Sequence, residues 1–345
     1  VAAAAAVCAA PRRARNAFCA IRPPGHHAGP RGAVGGQSAG FCLLSNAAIA
    51  AAYALAVHRE TVRRVAIVDF DVHHGNGTEA CVHNLVPTER SEVWESSFGV
   101  VSAKLSDFKP WLSSKDADRV FFGSIHGFGA EADDEHPEEG GRFYPGSGGP
   151  GTDSEAPRVV NAPMRLRAPS ARWRRAMLRT LLAPLSTFAP DLIVVSAGFD
   201  AHAHDPLGAG ALHEVEFEWM TAELMSLAET HCEGRLISLL EGGYHITGGP
   251  VSSLGRAAAA HVKSLMRRGG SGCWDATHAA ERLEASIAAQ HQRAVQCASE
   301  AARAASAASC ETIDAQAGDD AQGLAGSAAA TSASASASAA AAAAA

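Results

Sequence analysis

Apolar and polar positions along the chain fall into alternating blocks of two kinds. The stretch AAIAAAYALAVH (Ala47–His58) is a run of strong helix formers, and a charged break follows it. Directly after comes VAIVDFD (Val65–Asp71), a continuous apolar run of the type that forms a strand buried on both faces. Two more such runs are DLIVVSA (Asp191–Ala197), preceded by a basic amphipathic helix near 169–184, and RLISLL (Arg235–Leu240). Helix and strand alternate, and each strand ends in a loop rich in Gly, His or Asp. The pattern predicts an α/β fold with a mainly parallel central sheet flanked by helices. Sites in such folds form beyond the carboxyl ends of the strands.

Two stretches interrupt the alternation. Residues 84–118 are polar, contain Trp and show no clear period, and residues 127–158 are rich in Gly, Pro and acid; both read as long loops. From about 275 to 305 an Ala-rich helix carries Leu283, Ile287 and Val295 at roughly helical spacing. After Asp314 the chain becomes Ala/Ser low complexity, which predicts a disordered tail.

Composition narrows the function classes. With 345 residues, 47% hydrophobic and 19% charged, the chain is long enough for one large globular domain plus extensions. A formal charge of −7 argues against a general nucleic-acid binder, which carries a basic excess. The 8 cysteines form no CxxC pair, so reduced thiols are expected rather than a zinc ribbon or a disulfide scaffold. No uncharged apolar run reaches the ~18–20 residues of a membrane span. Neither a membrane nor a direct nucleic-acid partner is expected. The chain opens on Val1 inside an alanine run, which reads as the middle of a helix whose natural start is missing.

Chemistry-bearing residues collect at the predicted strand ends. Asp71 and His73, past the first strand, are two positions apart and so share a face on an extended segment. Asp200 follows the second strand in Gly198-Phe199-Asp200. Two carboxylates and one imidazole leave one position open, the ligand count of a catalytic zinc site. His74 faces the other way and reads as a packing or supporting residue. After the third strand, Glu241-Gly242-Gly243-Tyr244 pairs glycines that let the backbone approach a ligand with a phenol able to reach a developing oxyanion. Upstream, RPPGHHAGP (Arg22–Pro30) sets His26 and His27 side by side at an irregular corner fixed by prolines.

The segments RPPGHHA, GFCLLSNAAIAA, VAIVDFDVHHGNGTEA, FYPGSG, NAP, DLIVVSAGFDAHAHDPLG and LISLLEGGYH resemble the zinc-dependent histone deacetylase family of the arginase–deacetylase superfamily, in its class II form. They occur in the family's order and span most of residues 17–265. The resemblance implies an arginase/deacetylase-like fold and hydrolysis of the amide of Nε-acetyl-lysine. It assigns His27 as general base and acid with His26 as its electrostatic neighbour, oriented by Asn76 and Asp69 respectively. Asn76, where some classes carry Asp, follows the class II pattern. Asp71, His73 and Asp200 are implied as zinc ligands, and Tyr244 as the group that polarises the carbonyl. Gly40, Phe41, Tyr144, Leu207, Gly242 and Gly243 match the substrate channel. Asp69, Asp71, His73 and Ser124 match a potassium site.

By the same resemblance, residues 1–270 form the catalytic domain with its N-terminal part missing, which would leave apolar sheet edge exposed. Residues 271–313 are then a helical extension and 314–345 the tail. The loops at 84–118 and 127–142 exceed the family's usual connections. Implied partners are acetylated proteins such as histone tails and a corepressor-type complex, in nucleus or cytoplasm. Two other functions remain open from sequence: an amidohydrolase of acetylpolyamines or other small acetylated amines, and a non-catalytic scaffold. The acidic run Glu131, Asp133, Asp134, Glu135, Glu138 and Glu139 bears on the first of these, since a narrowed acidic mouth would suit a polyamine.

Overall fold

The computed structural model describes residues 1–9, 13–32, 39–107, 109–129, 143–155, 157–267 and 273–320. The acidic run at 131–139 lies outside the described residues.

The strands are β1 (Asn16–Cys19), β2 (Val65–Asp69), β3 (Thr88–Ser96), β4 (Gly99–Asp107), β5 (Val120–Gly127), β6 (Arg158–Met164), β7 (Leu192–Ala197) and β8 (Leu236–Leu240). The helices are α1 (Ala2–Cys8), α2 (Asn46–Val57), α3 (Asn76–His83), α4 (Ser170–Ala176), α5 (Ala183–Phe188), α6 (Glu214–Cys232), α7 (Ser253–Met266) and α8 (Ala276–Asp320), with a π-helical stretch at Met177–Leu182 joining α4 to α5. Six strands form one sheet in the order β1-β8-β7-β2-β5-β6, and each neighbouring pair is parallel. The mainly parallel sheet flanked by helices is therefore as the sequence pattern predicts.

Every residue of β2, β5 and β7 is buried, and β2 and β7 accordingly read as apolar runs and not as alternation. On one face, Ala47, Ala51, Ala54 and Leu55 of α2 pack with Val65 and Ile67 of β2, Val194 of β7 and Ile237 of β8. Small side chains let α2 lie close to the sheet, and its start is capped by Ser45 Oγ, which accepts from Ala48 N at 3.4 Å. In β5, a Cβ at Gly123 would come within 2.4 Å of Leu181, so glycine here sets how closely the π-helical stretch approaches. At the sheet edge, all four residues of β1 are half-buried, and α1 buries Ala4, Val7 and Cys8 in the cluster that holds Ile237 and Leu239.

The reading of 84–118 as a loop is corrected: β3 and β4 pair antiparallel from Thr88↔Asp107 to Ser96↔Gly99. Val93, Trp94, Val100 and Val101 are all exposed on this hairpin. With no buried face, it writes no period-2 hydrophobic signature into the sequence. Strands β1, β5 and β6 also went unread. The first has only four residues, β5 carries Gly123, Ser124 and His126, and β6 contains Pro163.

The chain divides into two compact units, Val1–Ala285 and Ser286–Ala345. The first extends past residue 270 because Ala279 and Leu283, at the start of α8, are buried. In the second, α8 continues through Asp314 to Asp320, and its described side chains from 291 to 303 are exposed. Residues 321–345 lie outside the described residues. Among the described residues no helix is long and apolar enough to cross a membrane, and Cys8, Cys19, Cys42, Cys81, Cys232, Cys273 and Cys297 are free thiols.

Candidate active site

Parallel register brings the strand ends to one edge. Asp69 pairs with Ser196 on one side and Ser124 on the other, Ala197 pairs with Leu240, and Cys19 pairs with Leu239. The segments that follow, Arg22–His27, Asp71–Asn76, Gly198–Asp200 and Glu241–Tyr244, therefore meet beyond the carboxyl edge of the sheet.

Asp71, His73 and Asp200 are all buried, with one ligand atom from each lying within 4.8 Å of the others. His73 Nδ1 faces both carboxylates, 3.1 Å from Asp71 Oδ1 and 3.0 Å from Asp200 Oδ2. The remaining carboxylate oxygens are held by backbone donors: Gly242 N to Asp71 Oδ2 at 2.7 Å and Val72 N to Asp200 Oδ1 at 3.0 Å. Burial and the neighbouring Asp71 push Asp200 up to about 7. Burial opposes charge on Asp71 as well, yet His26 and His73 hold it well below the usual carboxylate range. Two hard carboxylate oxygens and an imidazole nitrogen, all from buried side chains, fit a divalent cation such as zinc. Glycine is required around them. A Cβ at Gly198 would fall 2.0 Å from Asp71 Oδ2, and one at Gly242 would fall 2.1 Å from Asp200 Oδ2.

The two histidines of the Arg22–Pro30 segment are buried with ring centroids 4.0 Å apart. His26 Nδ1 lies 3.0 Å from Asp69 Oδ2, and its Nε2 lies 3.7 Å from Asp71 Oδ2. Burial works against a charge on His26, but Asp71 and Asp69 outweigh it and push its pKa up to about 10. His27 Nδ1 lies 2.8 Å from Asn76 Oδ1. An amide oxygen only accepts, so the His27 proton sits on Nδ1 and Nε2 keeps its lone pair. Burial and the charge on His26 push His27 down to about 2.

Tyr244 arrives on an arm whose backbone is pinned by Asp205: Oδ2 accepts from Tyr244 N at 2.7 Å and from His245 N at 3.2 Å. Burial, Asp71 and Asp200 raise the phenol well above its ordinary value, so it stays a hydrogen-bond donor. Its ring lies 5.7 Å from that of Phe41, and the Arg22 guanidinium sits 5.9 Å over it. Gly243 has φ 127°, a conformation that favours glycine. Gly40 lies against His27, where a Cβ would meet the ring at 2.2 Å. The Tyr144 ring is 4.9 Å from His27 and 6.1 Å from His73. Phe41, Tyr144 and Leu207 are exposed, and Leu207 N donates to the same Asp205 that holds the Tyr244 arm. Ser124 is buried beside Asp69, with its Oγ 2.9 Å from His126 Nδ1. His74 is held between Glu79 Oε2 at 2.9 Å and Ser147 Oγ at 2.8 Å.

Four contributors escaped the sequence reading. Phe143 stacks on His73 with centroids 5.1 Å apart and planes 6° from parallel. Asp205 pins the tyrosine arm. Glu241 accepts from Gly25 N at 2.6 Å and His26 N at 3.1 Å, and Arg22 reaches back to Glu241 O at 2.8 Å. Only Glu241 carried a signal, as a carboxylate directly after a buried strand.

Fold and donor set together define a parallel α/β domain with a candidate metal-hydrolase centre. Residues 1–265 match the model of the histone deacetylase domain, and the chain belongs to that family. It is 32% identical over 258 residues to type-2 histone deacetylase 2 of Dictyostelium discoideum, covering 73% of this chain and 12% of that protein. It is 35% identical over 234 residues to the histone deacetylase-like amidohydrolase of Pseudomonas aeruginosa, covering 67% of this chain and 48% of that one. The crystal structure of the HDA15 HD domain is similar with a TM-score of 0.54 and 28% identity, covering 77% of this chain and 60% of that chain. The chain thus spans less than two thirds of each of these proteins.

Proposed function

We propose that this chain is a zinc-dependent protein lysine deacetylase of the class II type, hydrolysing Nε-acetyl-lysine in histones or other proteins. The observation that carries the reading is His27: its Nδ1 is committed to Asn76, which leaves the Nε2 lone pair of a buried ring beside the Asp71–His73–Asp200 donor set, 6.1 Å from the His73 ring between centroids. Zinc held by those three side chains would polarise the amide carbonyl and bring the pKa of water toward ~7. His27 takes the proton of the attacking water and returns it to the leaving amine. His26, kept charged by Asp69 and Asp71, disfavours a second charge next door and so preserves His27 as a base. Tyr244 donates to the substrate oxygen as it gains negative charge. Phe41, Tyr144 and Leu207 line the approach for the aliphatic lysine stem, with Gly40, Gly242 and Gly243 keeping the walls close to the reacting groups. A structural potassium ion at Asp69, Asp71, His73 and Ser124 belongs to the same reading, as do acetylated protein partners, a corepressor-type complex and a nuclear or cytoplasmic site of action. The Pseudomonas relative is named a histone deacetylase-like amidohydrolase, a name broader than a protein substrate, and small acetylated amines stand as the second substrate class.

The test is zinc content per chain beside turnover of an acetyl-lysine peptide and of an acetylated polyamine. One zinc and preferential peptide hydrolysis are expected, both lost in Asp200→Ala. An Asp200→Ala chain with full zinc and full turnover would overturn the ligand assignment, and preference for the polyamine would replace the substrate class.

A further inference from the structure

We infer that Glu241 and Arg22 form a reciprocal clamp that holds the His26–His27 loop and the Tyr244 arm as one rigid unit; the inference rests on the roles proposed above for His27 and Tyr244. The two segments lie more than two hundred residues apart, and each uses a side chain to grip the other's backbone. From the arm, Glu241 Oε2 accepts from two consecutive amides of the histidine loop, Gly25 N at 2.6 Å and His26 N at 3.1 Å. Its other oxygen, Oε1, accepts from Ser196 Oγ of β7 at 3.0 Å. From the loop, Arg22 Nη1 donates to the Glu241 carbonyl at 2.8 Å, and the same guanidinium lies 5.9 Å over the Tyr244 ring.

Glu241 is fully buried. A carboxylate there is tolerated only with its oxygens satisfied, and hydrogen bonds to it are of the strong, charge-assisted kind. Both amides it binds precede the His27 peptide directly, so their geometry sets where the His27 ring begins. Arg22 acts on the other partner: it ties down the Glu241 carbonyl at the root of the Tyr244 arm, and its cation lies over the phenol ring at 5.9 Å. A base and an oxyanion donor must be placed to about 0.5 Å relative to each other. A single clamp achieves this more directly than two independently anchored loops. Neither Glu241 nor Arg22 touches the reacting atoms; both are positioning residues.

The experiment compares Glu241→Ala, Glu241→Gln and Arg22→Ala in the full chain. Readouts are zinc per chain, kcat and KM on an acetyl-lysine peptide, and amide hydrogen exchange in a peptide covering residues 22–30. Glu241→Ala and Arg22→Ala are expected to speed exchange in that peptide and to lower kcat about 10- to 100-fold with KM nearly unchanged and zinc retained. Glu241→Gln keeps one acceptor oxygen for the two amides while its NH2 turns to Ser196, and should restore most of both. In a Tyr244→Phe background Arg22→Ala should cost clearly less than in wild type, because the share of its effect that aims the hydroxyl is already gone; a merely structural role would add in full. Unchanged exchange in Glu241→Ala, a Glu241→Gln chain as impaired as Glu241→Ala, or full additivity with Tyr244→Phe overturns the clamp. If Glu241→Ala does not fold, Glu241→Gln and Arg22→Ala still decide it. A zinc-loaded wild type inert toward acetyl-lysine defeats the functional reading alone, since exchange in 22–30 reports on the clamp without turnover.

Discussion

Asp69 and Asn76 meet neighbouring imidazoles with different chemistry, and that difference underlies the separate roles proposed for His26 and His27. A carboxylate stabilises the imidazolium of His26, whereas a neutral amide fixes the His27 tautomer without stabilising its charge. In the proposed reaction, charge balance in the transition state leaves one more requirement, a donor for the substrate oxygen, the role proposed for Tyr244. Removing one such donor costs ~10²–10³ in turnover, about 2.7–4 kcal/mol. Tyr244→Phe is therefore expected to lower kcat by that factor with KM nearly constant and zinc content unchanged. Tyr244→His should also depress hydrolysis, since the shorter ring does not reach the same oxygen. Near wild-type kcat in a zinc-loaded Tyr244→Phe chain sinks the assigned role. The polar side chains at this scale were legible because each sits just past an apolar run or between prolines. The roles of Glu241 and Arg22 were not, although Glu241 itself stands just past an apolar run: their closest long-range partners are backbone groups, and a peptide amide 216 positions away leaves no trace in side-chain pattern.

Between elements, the connections that matter are few and buried. His261 of α7 reaches Thr221 Oγ1 of α6 at 2.6 Å and Ser238 Oγ of β8 at 2.7 Å, tying two helices to the strand that carries the tyrosine arm. Burial pushes its pKa down to about 3, from an ordinary histidine value near 6.5. Between those two pH values the unfolded chain binds a proton that the folded chain refuses, so stability rises with pH. The contribution is complete above about pH 6.5 and is lost progressively as pH falls toward 3, a span worth on the order of 5 kcal/mol. His261→Gln removes the titration. At pH 7 it should cost about 1–3 kcal/mol through imperfect pairing of the two hydroxyls. From pH 6.5 downward its stability should fall less steeply than that of wild type. Urea unfolding at pH 7, 5.5 and 4.5 measures both slopes, and parallel slopes would sink the account. Legibility at this scale followed burial. Strands β2, β7 and β8 and helix α2 announced themselves because their faces are covered by apolar neighbours, while the exposed β3–β4 hairpin and the four-residue β1 had no such pattern to show.

Across the whole first unit, a parallel sheet delivers its strand ends, and the polar groups beyond them, to one edge. Asp69, Asp71, Asp200 and Glu241 are all fully buried there, faced by His26 and His73. Concentrating carboxylates in this way opposes folding, as the rise of Asp200 and Glu241 to about 7 by burial shows. A divalent cation at Asp71, His73 and Asp200, as proposed, would relieve that repulsion in the folded chain and would find no assembled donor set in the unfolded one. Binding to the folded state alone stabilises by RT ln(1 + [L]/Kd), about 2.7 kcal/mol at a hundredfold excess over Kd. At roughly 2–4 °C per kcal/mol, that corresponds to a rise in Tm of about 5–10 °C. Zinc-loaded protein treated with a strong chelator should lose this increment, and added zinc should restore it. Asp200→Ala, lacking one ligand and one buried charge, should show neither response. The measurement is a thermal melt of wild type and Asp200→Ala, each as purified, chelated and reloaded. A wild-type Tm indifferent to chelator, or an Asp200→Ala chain that responds as wild type does, would remove the metal from the assembly of this edge.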